Sequence, residues 1–168
     1  LDKPAILLAS DVGLTVKGDK LPYVSRGGLK LEKAIAAFGL TFEGKTCMDV
    51  GSSTGGFTDC MLQKGAQKVY AVDVGYGLLD WKLRNDPRVV VMERTNARLL
   101  NPEMTGGERM DFASMDVSFI SIRTVLPAVR TCMKENAHLA VLVKPQFEAR
   151  REQVGKGGIV KDINVHKE

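Results

Sequence analysis

The chain has 168 residues, 44% of them hydrophobic, and its 24 basic against 20 acidic side chains leave a net charge of +4. That length and apolar content suit one compact domain, and they exclude collagen-like, disordered and coiled-coil classes. Uncharged runs fall short of the roughly 18 apolar residues of a membrane span, and the start Leu1-Asp2-Lys3-Pro4 lacks the layout of a secretory leader, so a cytoplasmic protein with no membrane partner is expected.

Residues 1–20 do not share the rhythm of the rest. Ala5–Ala9 and Leu14–Val16 read as short strands of a linker or of a preceding module. Gly28–Phe38 then places Leu31, Ile35 and Phe38 four and three residues apart, which predicts a helix ended by Gly39. Beyond it, strands are predicted at Thr46–Val50, Lys68–Val72, Val89–Met92, Phe112–Asp116 and His138–Val143, with helices at Phe57–Lys64, near Leu78–Asn85 and at Ile122–Met133. This alternation argues for repeated β-α units and an α/β fold with a mostly parallel sheet. After Lys144, Gly155, Gly157 and Gly158 alternate with Lys156 and Lys161, as in a mobile basic loop. Cys47, Cys60 and Cys132 are odd in number and lack CxxC spacing, and His138 and His166 stand apart from them. Neither a disulfide framework nor a metal site is expected.

The most informative stretch leaves the first strand at Asp49, turns through Gly51, Ser52, Ser53 and Thr54, and enters a helix after Gly55 and Gly56, with Phe57 and Thr58 in its first turn. Such a turn aims backbone N–H groups at the carboxyl edge of the sheet, where open α/β folds bind ligands. The pattern is D-x-G-x-x-x-G-G rather than G-x-G-x-x-G, which disfavours a pyrophosphate-bearing cofactor. Asp73 ends the second strand and is placed to accept hydrogen bonds from ribose hydroxyls, while Asn96, after the third, would face adenine. Together these residues fit S-adenosyl-L-methionine. Taken singly, the glycines also suit an ordinary strand-to-helix turn, and Asp73 an exposed strand-end carboxylate or helix cap.

Three further ionisable residues fall where this fold would bring them together: Lys30 on the first helix, Asp116 at the end of the fourth strand and Lys144 at the end of the fifth. Partial desolvation of Lys144 and the nearness of a second cation favour the neutral amine that a general base requires. The set suits deprotonation of a weakly acidic hydroxyl; no P-loop or nicotinamide fingerprint accompanies it. The competing readings are a snorkelling Lys144, a solvated Lys30 and an Asp116 that caps the following helix.

At these residues the sequence resembles a known family. Tyr23-Val-Ser-Arg-Gly-Gly-Leu-Lys-Leu31, Asp49-Val-Gly-Ser-Ser-Thr-Gly-Gly-Phe-Thr58, Ala71-Val-Asp-Val-Gly75, Asp116-Val-Ser-Phe-Ile-Ser121 and Val143-Lys-Pro-Gln-Phe-Glu148 look like the signature stretches of the TlyA, or haemolysin A, family of FtsJ-like methyltransferases. The resemblance implies a Rossmann-like domain over residues 21–168 that moves a methyl group from S-adenosyl-L-methionine to a ribose 2′-hydroxyl of ribosomal RNA, free or in ribosomal subunits. It implies a Lys-Asp-Lys-Glu tetrad whose first three members match Lys30, Asp116 and Lys144; the glutamate is expected beyond the end of this chain, and Glu148 is not taken for it. It also implies an N-terminal S4-type RNA-binding module, of which residues 1–20 would be a linker or remnant, and a domain truncated at its C-terminal end. Arg26, Lys33, Arg150, Arg151 and Lys156 would engage RNA phosphates. The alternatives from other classes are a non-catalytic RNA- or nucleotide-binding module and a cytolysin; the latter would need an amphipathic or spanning segment that the sequence does not offer.

Overall fold

The structure is a computed structural model that describes Gly13 and residues 21–167, so the strands expected within residues 1–20 lie outside the described residues. Among the described residues, five strands form one sheet: β1 (Thr46–Val50), β2 (Lys68–Val72), β3 (Val89–Met92), β4 (Met110–Met115) and β5 (Met133–Val141). Their spatial order is β3-β2-β1-β4-β5, every pair parallel. The connecting helices are α1 (Gly27–Phe38), α2 (Gly56–Gln63), α3 (Trp81–Arg84), α4 (Ile122–Thr131) and α5 (Pro145–Glu148).

The two-residue repeat of the central strands builds a core on each face of the sheet. Cys47, Val69, Ala71 and Phe112 point to one side, where they pack with Leu31 of α1 and Phe57, Cys60 and Met61 of α2. Met48, Val50, Tyr70, Val72, Ala113 and Met115 point to the other, against Val125 and Val129 of α4. All three cysteines are free and buried, so they serve as small apolar core residues. As expected, α1 ends at Gly39, whose φ of +62° is the left-handed conformation that closes a helix.

Three expectations are corrected. β5 begins at Met133, five residues ahead of His138, and the pairing slips between Met110 and Phe112 of β4. Residues 134–137 bulge out, and the exposed polar run Lys134-Glu-Asn136 within them carries no strand periodicity to read. The same strand ends at Val141, so Lys144 lies three residues beyond it, and Pro145 opens α5 rather than closing a strand. The expected mobile loop after Lys144 contains α5, a 3₁₀ turn at Arg151–Gln153 and an antiparallel bridge between Gly155 and Ile159 that buries Val160.

Candidate active site

The chain leaves β1 toward β2 and β3 and later returns on β1's other side as β4, so the carboxyl ends of β1 and β4 flank the switch point of the sheet, where open α/β folds place ligands. Gly51 and Asp116 sit there. The Asp116 N–H donates to the Val50 carbonyl at 3.0 Å, and the Gly51 N–H to the Val72 carbonyl at 2.9 Å. A Cβ on Gly51 would lie 2.8 Å from the Asp116 carbonyl oxygen, and the residue has φ of +83°. Glycine is therefore what lets the β1 turn touch the backbone that carries Asp116.

Asp49 has an internal role. It is buried on the α2 side of the sheet, where one carboxylate oxygen accepts the Thr58 N–H at 2.9 Å and the Thr58 hydroxyl at 2.8 Å, and the other accepts the Ser114 hydroxyl at 3.1 Å. It thus ties the first turn of α2 to β1 and β4. Burial outweighs these hydrogen bonds and raises its pKa from the ordinary 3.8 to about 6. The folded state keeps a proton that the unfolded chain loses above 3.8, so Asp49's contribution is greatest at low pH and is lost as pH rises through about 6. Asp49→Asn is expected to remove this loss, so chemical denaturation at pH 4 and pH 7 should find the variant gaining on the parent by on the order of 2–3 kcal/mol across that window. An unchanged difference between the two proteins would contradict the assignment.

Asp116 bridges two lysines from distant parts of the chain. Its Oδ2 accepts from Lys30 Nζ at 2.8 Å, and its Oδ1 lies 2.6 Å from Lys144 Nζ. The second contact is a close ion pair without hydrogen-bond alignment; Lys144 directs its hydrogen bond at the Ser118 hydroxyl, 2.8 Å away. Burial pushes the Asp116 carboxyl up, but the Lys144 and Lys30 ammonium groups together outweigh it and hold the pKa below the usual carboxylate value. Lys144 is only 20% exposed, whereas Lys30 is half exposed. Lys30 reaches the site because α1 packs closely on α2: a Cβ on Gly56 would lie 2.7 Å from the Gly28 nitrogen. The chain entering α1 is pinned as well, through the Val24 N–H on the buried Asp59 carboxylate at 2.9 Å. A hollow of about 300 Å³ opens between these groups, lined by Ser25, Lys30, Ser52, Thr54, Asp116 and Lys144.

A larger cleft of about 720 Å³ adjoins it on the β2–β3 side and shares Gly51, Ser53, Asp116 and Ser118. Asp73 lies in its wall, accepting the Ser53 N–H at 2.8 Å and the Gly75 N–H at 2.7 Å, one on each oxygen. Each carboxylate oxygen has a second lone-pair direction, so capacity for two hydroxyls remains. Asn96 lines the same cleft, but its side-chain oxygen caps the following turn by accepting the Arg98 N–H at 3.1 Å. Val74, Leu78, Val117 and Ile120 supply apolar walls. The volume and this mixture of apolar lining with a few placed polar groups fit a nucleoside-sized cofactor. Gly56 and Phe57 line the smaller hollow, whereas Gly55 and Thr58 stand behind the turn: Thr58 is buried, and a Cβ on Gly55 would run into Leu83 and Leu79.

Two residues carry little signal in the sequence. Ser118 gains its meaning only from the fold, which sets Lys144 beside it. Phe119 is 91% exposed, has φ of +62° and packs its ring against Phe147 at 5.2 Å between centroids, at the rim of the larger cleft. A bulky residue with positive φ and an exposed ring carries both strain and a desolvation opportunity, a combination that marks a contact surface. Its sequence signal is its place in the Asp116–Ser121 signature stretch, three residues after Asp116. Glu148 is spent elsewhere, accepting the Ser121 hydroxyl at 2.6 Å and the Ile122 N–H at 2.8 Å to close the start of α4. Arg26, Lys33, Arg150, Arg151 and Lys156 are all exposed. No helix among the described residues is long and apolar enough to cross a membrane.

Comparison with known proteins agrees with this architecture. The FtsJ-like methyltransferase family matches residues 23–168. The chain is 53% identical, over 95% of its length, to the 16S/23S rRNA (cytidine-2′-O)-methyltransferase TlyA of Mycobacterium tuberculosis, covering 60% of that protein. It is 51% identical, over 84% of its length, to Hemolysin A of Brachyspira hyodysenteriae, covering 59% of it. The chain thus spans about 60% of the length of these curated relatives. A solved structure from Streptococcus thermophilus that carries a hemolysin name superposes with a TM-score of 0.86 at 54% identity, over 90% of this chain and 55% of its own. An S-adenosylmethionine-dependent methyltransferase from Mesorhizobium loti, 15% identical, superposes with a TM-score of 0.54 over 70% of this chain and 55% of its own, which speaks to the fold alone. A family match over most of the chain and high identity to proteins of this name lead to one conclusion: the chain belongs to the FtsJ-like methyltransferases and, within them, to the TlyA, or haemolysin A, family.

Proposed function

We propose that the protein binds S-adenosyl-L-methionine in the larger cleft and transfers its methyl group to a ribose 2′-hydroxyl of ribosomal RNA, in the cytoplasm. The observation that carries this reading is the Asp116 carboxylate held between Lys30 and Lys144 at the switch point of the sheet. The cofactor supplies a methyl group already activated by its sulfonium. The task left to the side chains is to align a hydroxyl and take its proton, and alignment alone supplies much of the rate. Lys144 is the base in this reading. Acting as base requires Lys144 as the neutral amine, with Lys30 left to balance the Asp116 carboxylate; Asp116 and Ser118 fix the direction of that amine. Asp73 takes the ribose of the cofactor, and Gly51, Ser52, Ser53 and Thr54 frame its methionine end. Phe119 offers its ring to a base drawn out of the RNA stack, the way single-stranded RNA is commonly gripped.

The cofactor site is tested by titration calorimetry. S-Adenosyl-L-methionine should bind the parent protein in the micromolar range, and Asp73→Ala should weaken binding by about a hundredfold or more, the loss of charge-assisted hydrogen bonds to two hydroxyls. Failure of the folded parent to bind would leave the competing reading, a non-catalytic RNA-binding module, in its place.

A further inference from the structure

On the far side of the 143–145 segment from Asp116 lies a second hollow, about 310 Å³, that has no part in the site above. Val143 and Pro145 line it, while Lys144 between them turns into the catalytic hollow. Arg123 from the first turn of α4, Arg150 and His166 line it together with one carboxylate, Glu148, whose two oxygens each accept a hydrogen bond, from Ser121 and from Ile122. Because Glu148 and Ser121 already close the start of α4, the site is the pair of arginines with His166 and not the helix end. Neither Arg123 nor Arg150 makes an ion pair among the described residues. His166 is held in place by its Nε2, which donates to the Val160 carbonyl at 2.9 Å and leaves Nδ1 as the other polar atom of the ring. An arginine in the first turn of a helix opposes the macrodipole, so Arg123 is placed against the stability of α4.

Resting on the function proposed above, we infer that Arg123, Arg150 and His166 form a seat for a backbone phosphate of the RNA substrate. Guanidinium groups present paired N–H donors that match a phosphodiester, and two that lack a carboxylate partner invite an anion. The hollow shares the 143–145 segment with the base, so a phosphate bound in it would fix the register of the strand whose ribose lies at Lys144. Such an interaction positions the RNA without reading its sequence.

The test compares the parent chain with Arg123→Ala/Arg150→Ala. Binding of a short single-stranded RNA would be followed as a function of salt, alongside calorimetry with S-adenosyl-L-methionine and methyl transfer to isolated ribosomal subunits. The double variant should bind RNA about tenfold more weakly, with a plot of log affinity against log salt shallower by about 0.7 for each phosphate that the protein no longer neutralises. Its KM for subunits should rise while kcat and cofactor affinity stay at the parent's values. Arg123→Lys/Arg150→Lys should recover part of the affinity, since charge returns without the fork. An unchanged salt slope in a variant that still transfers methyl groups would overturn the seat and leave the methyltransferase reading intact. Loss of cofactor affinity together with RNA affinity would overturn it too, by assigning the arginines to folding. A parent chain that binds cofactor but neither binds nor methylates RNA would defeat the proposed function itself, and the phosphate seat with it.

Discussion

Lys144→Ala should abolish methyl transfer while cofactor affinity remains within about twofold of the parent, because Lys144 faces the smaller hollow and lies apart from Asp73 and the adenosine cleft. Removing a general base costs about 10²–10⁴ in rate, and here the alignment of the hydroxyl disappears with it, so the upper end of that range is expected. Lys144→Arg separates the two contributions of the residue. The arginine keeps the ion pair with Asp116 but holds its proton at every accessible pH, so it cannot serve as a base. Restored transfer in the arginine variant would assign Lys144 to electrostatic positioning. Continued inactivity, with a folded protein that binds cofactor, is the outcome the base assignment requires.

Gly51→Ala should damage both the fold and the site. The added methyl meets the Asp116 carbonyl at 2.8 Å, and that carbonyl belongs to backbone already bonded across the sheet to Val50. Relief requires moving either the β1 turn or Asp116 itself. The left-handed backbone adds about 1–2 kcal/mol and the overlap about 1–3 kcal/mol, so urea denaturation should report a loss of about 2–5 kcal/mol. Gly39→Ala is the matched control. Gly39 also has positive φ, but nothing lies within 4 Å of its added Cβ, and it sits at the far end of α1. Only the backbone cost of about 1–2 kcal/mol is expected there, with cofactor binding and transfer preserved. Equal losses at the two glycines would mean that the close approach to Asp116 contributes nothing.

The contrast between what the sequence discloses and what it withholds has a physical pattern. β1 and β2 coincide with their apolar runs because strands buried on both faces need no polar alternation; β3 coincides with its run as well, although it is a partly exposed edge strand. The start of β5 is illegible in the sequence because residues 134–136 are exposed at the edge of the sheet, where nothing selects an apolar pattern. Lys30, Asp116 and Lys144 stand out by their place in the topology and their family motifs, and the fold brings all three within ion-pair distance. A placement at strand ends is too simple, since Asp116 and Lys144 both lie beyond the strands in the connecting loops. Asp49 reads as a cofactor residue and does border the smaller hollow, but no spacing rule anticipates that it also fastens a helix to two strands through Thr58 and Ser114. Ser118, Phe119 and the Arg123–Arg150 pair become meaningful only once segments distant in sequence are adjacent.

The central claim is that the methyl acceptor is a ribose hydroxyl rather than a base, and the fate of labelled RNA in alkali tests it directly. Alkaline cleavage of RNA requires a free 2′-hydroxyl beside the phosphate, so a 2′-O-methylated nucleotide survives as a dinucleotide, whereas a methylated base is released as a mononucleotide. Ribosomal RNA treated with this protein and tritiated S-adenosyl-L-methionine is expected to return its label in alkali-stable dinucleotides. Label recovered in mononucleotides would contradict the assignment of the Lys30, Asp116 and Lys144 cluster to 2′-hydroxyl chemistry.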